Sequence, residues 1–336
     1  MKIVVDAFGG DHSPEEIVLG AIDFLIESSK TQIILTGDQH RINEILKQNN
    51  FNSNRLTVIN TTEVISNSDS PVFAVRNKKD SSMTVALDIL KNDGVDAFVT
   101  AGPTGAALSG AFMKLGRIKG ISRPALASIL PTKLGTNCIL CDCGANVDSK
   151  PINLHHFAIM AHYFSKCYLG IENPRVALLS NGTEKEKGNI LNKEVYKILE
   201  EDKKLNFVGN CEARELLSGD FDVIVTDGFA GNIALKTAEG IADAVFTKFK
   251  HTLKKKSTWL QKLGAYLTKG LFKKLKSSMD YNSIGGACLL GVSKIVIKSH
   301  GSSKRLAIKN SIFQAETLAS ANLCEKIHNG IVEYGL

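Results

Sequence analysis

Four glycine-bearing turns hold most of the residues in this chain that could do chemistry. They read Ala7-Phe8-Gly9-Gly10-Asp11-His12-Ser13-Pro14, Thr100-Ala101-Gly102-Pro103-Thr104-Gly105, Ser180-Asn181-Gly182-Thr183 followed by Lys185, Lys187, Gly188 and Asn189, and Thr226-Asp227-Gly228-Phe229-Ala230-Gly231-Asn232. Each is expected to leave an apolar strand and open a helix. That geometry aims free backbone N–H groups and the positive end of a helix dipole at one point, where an anion such as phosphate binds. The candidate phosphate or substrate contacts are therefore Gly10, Asp11, Gly102, Thr104, Gly105, Gly188, Asn189, Asp227, Gly228 and Gly231. Asn146 joins them from the run Asp142-Cys143-Gly144-Ala145-Asn146-Val147-Asp148, which also reads as Asx-type turn chemistry.

Four side chains stand out as candidates for the reaction itself. Asn232 is a neutral donor that could hold a carbonyl or phosphoryl oxygen, or could serve as a helix N-cap. Lys187 and Lys185 fall at the start of a helix, where the dipole disfavours cations, so a bound anion would explain them. A solvated lysine pair beside Glu184 and Glu186 is the alternative. His12 could orient substrate or act as a base, or be structural. The block Arg76-Asn77-Lys78-Lys79-Asp80-Ser81-Ser82 reads as a phosphate wall or as a solvated loop. Neither a Walker loop nor a dinucleotide fingerprint is present, which argues against ATP and NAD.

The elements that must position these groups alternate. Strand-like runs recur at 3–6, 32–36, 56–59, 97–100, 125–129, 138–141, 176–179, 206–208, 222–226, 287–292 and 294–298. Helical spacing marks 15–28, 82–90, 105–115, 153–169, 188–202, 232–250 and 303–329. Such alternation predicts an α/β fold, a Rossmann-like αβα layering around a mostly parallel sheet, with ligands at the carboxyl ends of strands. Residues 1–336 are expected to form one α/β catalytic unit, divisible into two lobes.

Composition narrows the setting. Hydrophobic residues make up 43% and charged residues 22%, ordinary for a folded globular protein. The opening Met1-Lys2-Ile3-Val4-Val5-Asp6 reads as a first strand, not a signal peptide, and no apolar run approaches the ~20 residues of a membrane span, so a cytoplasmic protein is expected. Cys138, Cys141 and Cys143 suggest a metal or redox site, or a buried strand using Cys as a small hydrophobe. Without a partner CxxC or HxxxH the second is expected, and with it no metal. The net charge of +7 is concentrated: between Ala244 and Met279 there are ten lysines and no Asp or Glu, which leaves the rest of the chain at −3. Within 250–279, Trp259, Leu263, Leu267, Leu271 and Phe272 recur at helical spacing among those lysines. They predict a basic amphipathic helical hairpin that contacts an anionic membrane, docks an acidic carrier, or packs in a dimer. No nucleic-acid-binding motif is present.

Taken together, the stretches Asp6–Asp11, Lys78–Met83, Asp142–Lys150, Glu186–Asn189, Asn206–Arg214 and Val225–Lys236 make the chain resemble the bacterial phosphate acyltransferases of phospholipid synthesis, from Met1 to about Asn329. The resemblance implies transfer of an acyl group from acyl-carrier protein to inorganic phosphate and a homodimer. It also implies no metal or other cofactor, a phosphotransacetylase- and isocitrate-dehydrogenase-like fold, and a functional pair at Lys187 and Asn232. Peripheral membrane contact would suit a product handed to a membrane acyltransferase. A coenzyme-A-dependent phosphotransacetylase and an inactive peripheral membrane protein of the same fold are the competing readings. The chain departs from the family at Pro103, where Asn is usual; proline removes an amide donor as well as the Asn side chain. It departs again at Ser180-Asn181-Gly182-Thr183, where a more apolar, more acidic stretch is common.

Overall fold

A computed structural model describes residues 1–92, 94–255, 258–278 and 284–335. Lys256 and Met279, both within the basic segment, lie outside the described residues. Eleven strands form one sheet: β1 Lys2–Asp6, β2 Gln32–Gly37, β3 Leu56–Asn60, β4 Ala97–Thr100, β5 Ala125–Pro131, β6 Asn137–Cys141, β7 Arg175–Ser180, β8 Asn206–Glu212, β9 Val223–Val225, β10 Ala287–Leu290 and β11 Ile295–Lys298. Their order across the sheet is β3-β2-β1-β4-β11-β10-β5-β6-β9-β7-β8. Alternation along the strands divides the core between two faces. Ile3 and Val5 point into the layer built by helices α1 (Glu15–Glu27), α6 (Pro151–Phe164) and α11 (Arg305–Ser320), whereas Val4 and Phe98 point toward α4 (Ser82–Asn92) and α5 (Thr104–Leu115). This is the expected αβα layering.

The sheet is mostly parallel, with one consequential reversal. Strands β3, β2, β1, β4 and β11 run together, and so do β6, β9, β7 and β8. Between them β10 pairs antiparallel with both β11 and β5, and β5 pairs antiparallel with β6. The two parallel blocks therefore point in opposite directions. The turns after β1 and β4 emerge at one end of the sheet, and those after β7 and β9 at the other, so the four turns do not share one rim.

Several helices differ from the sequence-based expectation. Gln39–Gln48 (α2) and Pro71–Asn77 (α3) are helical where none was expected. The predicted 303–329 helix is two, α11 and α12 (Leu323–Glu333), separated at Asn322, whose φ of 53° is left-handed. Helix α7 spans Ile190–Glu201. The helix expected at 232–250 runs over Gly228–Lys255 (α8). Beyond it the basic segment forms two short helices, α9 (Trp259–Leu267) and α10 (Lys269–Ser278). No helix among the described residues is long and apolar enough to cross a membrane.

Candidate active site

Most of the turn amides are already spent within the protein. After β1, the Phe8 N–H donates to Asp6 Oδ1 (3.2 Å) and the Asp11 N–H to the Gly301 carbonyl (2.8 Å). After β4, the Gly102 N–H donates to Thr100 Oγ1 (2.9 Å), and that hydroxyl donates to Asp6 Oδ2 (2.8 Å), so the buried Asp6 side chain pins the first two turns together. After β7, Gly188 N–H meets Asn181 Oδ1 (2.8 Å), and Asn189 caps α7 by accepting from the Asn192 N–H (2.9 Å). After β9, Asp227 Oδ1 accepts from Phe229 (3.0 Å) and Ala230 (2.9 Å), and the Gly228 N–H donates to the Asn146 carbonyl (2.8 Å). The expectation of free amides at all four turns is thus corrected: local carboxylates, amides and hydroxyls outcompete an external anion for them. The openings of α1 and α5 are the exceptions, since Pro14 and Pro103 at their N-caps supply no side-chain cap.

The loop leaving β6 is organised in the same way. The buried Asp142 carboxylate accepts from the Leu126, Gly144, Ala145 and Asn146 amides and from Asn146 Nδ2, at 2.7–3.1 Å. Asn146 Nδ2 spends its second hydrogen on the Pro124 carbonyl (2.8 Å), so it offers no amide hydrogen to a phosphate. Helix α8 enters against this loop through glycine. A Cβ on Gly228 would stand 2.5 Å from the Asn146 carbonyl oxygen, and one on Gly231 would stand 1.9 Å from the Asp142 carbonyl oxygen. Asp227, Gly228 and Gly231 thereby seat α8 and aim the next residue, Asn232.

Asn232 lies one turn inside α8 and is not its N-cap; Asp227 is. Its side chain abuts Gly144, where a Cβ would be 3.7 Å away, and makes no hydrogen bond to another described residue. It lines a cavity of about 320 Å³ with Thr104, Leu126, Ser128, Cys143, Lys236, Glu239, Gly285, Lys298 and His300, among others. Leu126 and Ser128 floor this cavity. They are two residues apart on β5, ~7 Å, short enough for groups from both ends of the sheet to meet. This is the point where strand direction reverses, which is where open α/β sheets bind ligands.

A second cavity, about 480 Å³, shares Thr104, Lys298 and His300 with the first. It gathers Gly10, Asp11, Gly102 and Thr104 from the first two turns. Gly105 sits beside Thr104 in the opening turn of α5 but lines neither cavity. Lys298, which sequence reasoning missed, is buried at the junction, 8% exposed, and its Nζ donates to the Ser299 carbonyl. Its pKa is lowered to about 8, first by burial and then by Lys236, with Asp11 and Asp6 pulling the other way. In His300, Nδ1 accepts from the Ser302 N–H (3.2 Å), which assigns the neutral ring's proton to Nε2.

The remaining candidates lie elsewhere. Lys187 is exposed on the turn after β7, its stem across Gly182, and does not line the cavity that holds Asn232. Because β7 neighbours β9, the two residues sit on adjacent turns at one end of the sheet. Lys185 pairs with Glu200 of α7 over the Tyr196 ring. His12 is exposed and faces a separate 430 Å³ hollow with Arg41 and Glu44, so it is not joined to the other candidates. Lys78 is paired with Asp69 (2.7 Å), which makes 76–82 a braced loop. Burial pushes the Cys143 thiol up to about 12, consistent with the small-hydrophobe reading of the cysteine cluster. Among the described residues no group of three or more His, Cys, Asp or Glu is placed to hold a metal ion.

Comparison with known proteins decides the family. Residues 1–326 match the family described as "Fatty acid synthesis protein". The chain is 45% identical over 336 residues to a phosphate acyltransferase of Halothermothrix orenii, covering 100% of both chains. It is 46% identical over 336 residues to one of Clostridioides difficile, covering 99% of this chain and 97% of that one. The chain belongs to the phosphate acyltransferase family. Among solved structures, a phosphotransacetylase from Streptococcus pyogenes superposes with a TM-score of 0.63 at 20% identity, covering 96% of this chain and 94% of that one. A branched-chain phosphotransacylase from Enterococcus faecalis V583 gives 0.59 at 14% identity, covering 95% and 99%. At those identities the likeness concerns the fold, and it agrees with the phosphotransacetylase-like architecture expected from the sequence.

Proposed function

We propose that this acyltransferase moves a fatty acyl group from acyl-carrier protein to inorganic phosphate, giving acyl phosphate for phospholipid synthesis. A phosphate oxygen attacks the thioester carbonyl carbon. The C–O bond forms, the C–S bond breaks, and the carrier leaves as its thiol after taking up a proton. Phosphate is already a competent nucleophile, so the protein's work is positioning and oxyanion stabilisation. The observation that carries this reading is the unengaged amide of Asn232 in a cavity walled by two lysines. Asn232 donates to the carbonyl oxygen as it becomes an oxyanion. Lys187, on the neighbouring exposed turn, supplies positive charge to the incoming phosphate.

Two surfaces support the assembly expected from the resemblance. Helix α8 buries only Gly228, Gly231 and Leu235 and exposes Phe229, Ile233, Ile241 and Val245 along one flank, a ridge suited to a second copy in a homodimer. Trp259, Leu263, Leu267 and Leu271 are exposed on α9 and α10 among lysines, which suits contact with an anionic membrane. Phe272, by contrast, stacks on Phe249 of α8 with ring centroids 4.6 Å apart, so it anchors the segment and does not project.

The test is to supply phosphate with either acyl-carrier-protein or acyl-coenzyme-A thioester and measure acyl phosphate. Rapid product with the carrier-protein donor is expected. Product only from coenzyme A would favour the phosphotransacetylase reading, and none from either the inactive one. Asn232→Ala should cost ~10²–10³ in turnover with a normally folded protein, and Lys187→Ala should weaken use of phosphate; near-normal rates would remove those roles.

A further inference from the structure

The site holds a cation whose presence the fold does not explain. Lys298 ends β11, between β4 and β10, and is 8% exposed. Its one hydrogen bond goes to a backbone carbonyl, and it forms no ion pair among the described residues. A buried ammonium without a counter-ion is costly, and an apolar side chain of similar length would serve the packing better. Its flanking strands β4 and β10 carry no charge, and the charged groups near it come from other elements. Asp6 lies on β1 and Asp11 on the following turn. Lys236 and Glu239 lie on α8, and His300 is two residues on. Asp6 is committed to Thr100 and Phe8, and Glu239 is paired with Lys236 at 2.7 Å. Lys236 repels Lys298 through the cavity they share.

We propose that Lys298 is the inner phosphate-binding residue of this site. Its ammonium and that of Lys236 clasp one phosphate between them at the junction of the two cavities, beside the uncapped opening turn of α5 at Thr104. This deepens the acyl-transfer reading by assigning its acceptor seat, and the seat can be tested without any acyl donor. Two features converge on the junction: the two cations, and the opening turn of α5, whose N-cap Pro103 supplies no capping side chain and whose Thr104 lines both cavities. A dianion there neutralises Lys298, with which no carboxylate is paired, and offsets the repulsion from Lys236, whose ammonium Glu239 already pairs.

The experiment is thermal denaturation of the full-length protein in increasing inorganic phosphate, with sodium chloride at matched ionic strength as control, for wild type, Lys298→Met and Lys298→Gln. Wild type should gain Tm with phosphate beyond the chloride control, because a ligand that binds only the native state stabilises it. Either variant should lose about ten- to hundredfold in phosphate affinity, the weight of a hydrogen bond to a charged group. Without phosphate, Lys298→Met should melt at or above the wild-type temperature, since the uncompensated charge is gone. Wild-type affinity should fall as pH rises through about 8, where Lys298 loses its proton. Phosphate stabilisation of either folded variant equal to wild type, or none in wild type, would overturn the proposal. Lysine-dependent binding in a protein that makes no acyl phosphate would instead overturn the acyl-transfer reading and leave the seat intact.

Discussion

Gly231 is the contact on which the aim of Asn232 depends, and replacing it with alanine is a sharp test. The new Cβ would stand 1.9 Å from the Asp142 carbonyl oxygen and 2.7 Å from Thr226 Cγ2. Real Cβ atoms essentially never approach closer than 3.0 Å, so α8 must retreat from the β6 loop by about 1.1 Å. The loop cannot yield in its place: Asp142 is held by five hydrogen bonds through its carboxylate. Asn232 is the next residue and moves with the helix. A displacement of that size at a reacting group costs on the order of 10²-fold in rate. The assay is thiol release from the acyl donor in the presence of phosphate, run beside circular-dichroism melting. Gly231→Ala is expected to fold, to lose Tm, and to turn over about a hundredfold more slowly. Gly264→Ala in α9 is the control: its Cβ meets nothing within 4 Å, and both readouts should stay at wild type. Wild-type turnover in Gly231→Ala would show that Asn232 needs no such registration, and the oxyanion role would fall with it.

Leu267→Glu, at an exposed position of α9, should abolish sedimentation with anionic liposomes while leaving turnover on soluble substrates unchanged; equal binding of wild type and variant would end the membrane reading. Stability should fall at mildly acid pH. His156 is buried and neutral, its pKa pushed down to about 4 by burial and by His155, and burial lowers His162 as well. Unfolded histidine takes up a proton near pH 6.5, so this stability is present above that pH and is lost as pH falls toward 4. Tm should decline over that window, and less steeply in His156→Gln; a flat wild-type profile from pH 6.5 to 4.5 would contradict it.

All eleven strands were legible because a sheet covered on both faces demands short apolar, β-branched runs such as Ile3-Val4-Val5 and Ile295-Val296-Ile297. Helix α2 was not, because its apolar stripe is a short one, Ile42, Ile45 and Leu46, of which only Ile42 is buried. The break between α11 and α12 was hidden in an unbroken helical pattern, with Asn322 its one signal, since Asn tolerates the left-handed region. At the site, Asn232 was legible from its glycine-rich turn, but its place inside α8 was not, because Asp227 upstream is an equally good cap. Lys298 looked like an ordinary polar end to an apolar strand. Only the pairing of β11 between β4 and β10, which no local pattern encodes, buries it. The direction of each parallel block was beyond local reading too, since it is set by long-range pairing of β10 and β5.

That reversal bears on where an anion can sit. A turn whose amides are held by its own carboxylate is rigid, but it is electrostatically closed to phosphate. An oxyanion brought within 4 Å of Asp227 or Asp142 would meet ~4 kcal/mol of repulsion at an effective dielectric of ~20. The amides that could offset this are already donating to those same carboxylates. The turns therefore act as struts. Asp6 ties the exits of β1 and β4, and Asp142 fixes the exit of β6 against α8. The charge that a phosphate needs must come from side chains the struts bring together. With the two blocks antiparallel, β11 delivers Lys298 from one end of the sheet and α8 carries Lys236 and Asn232 in from the other.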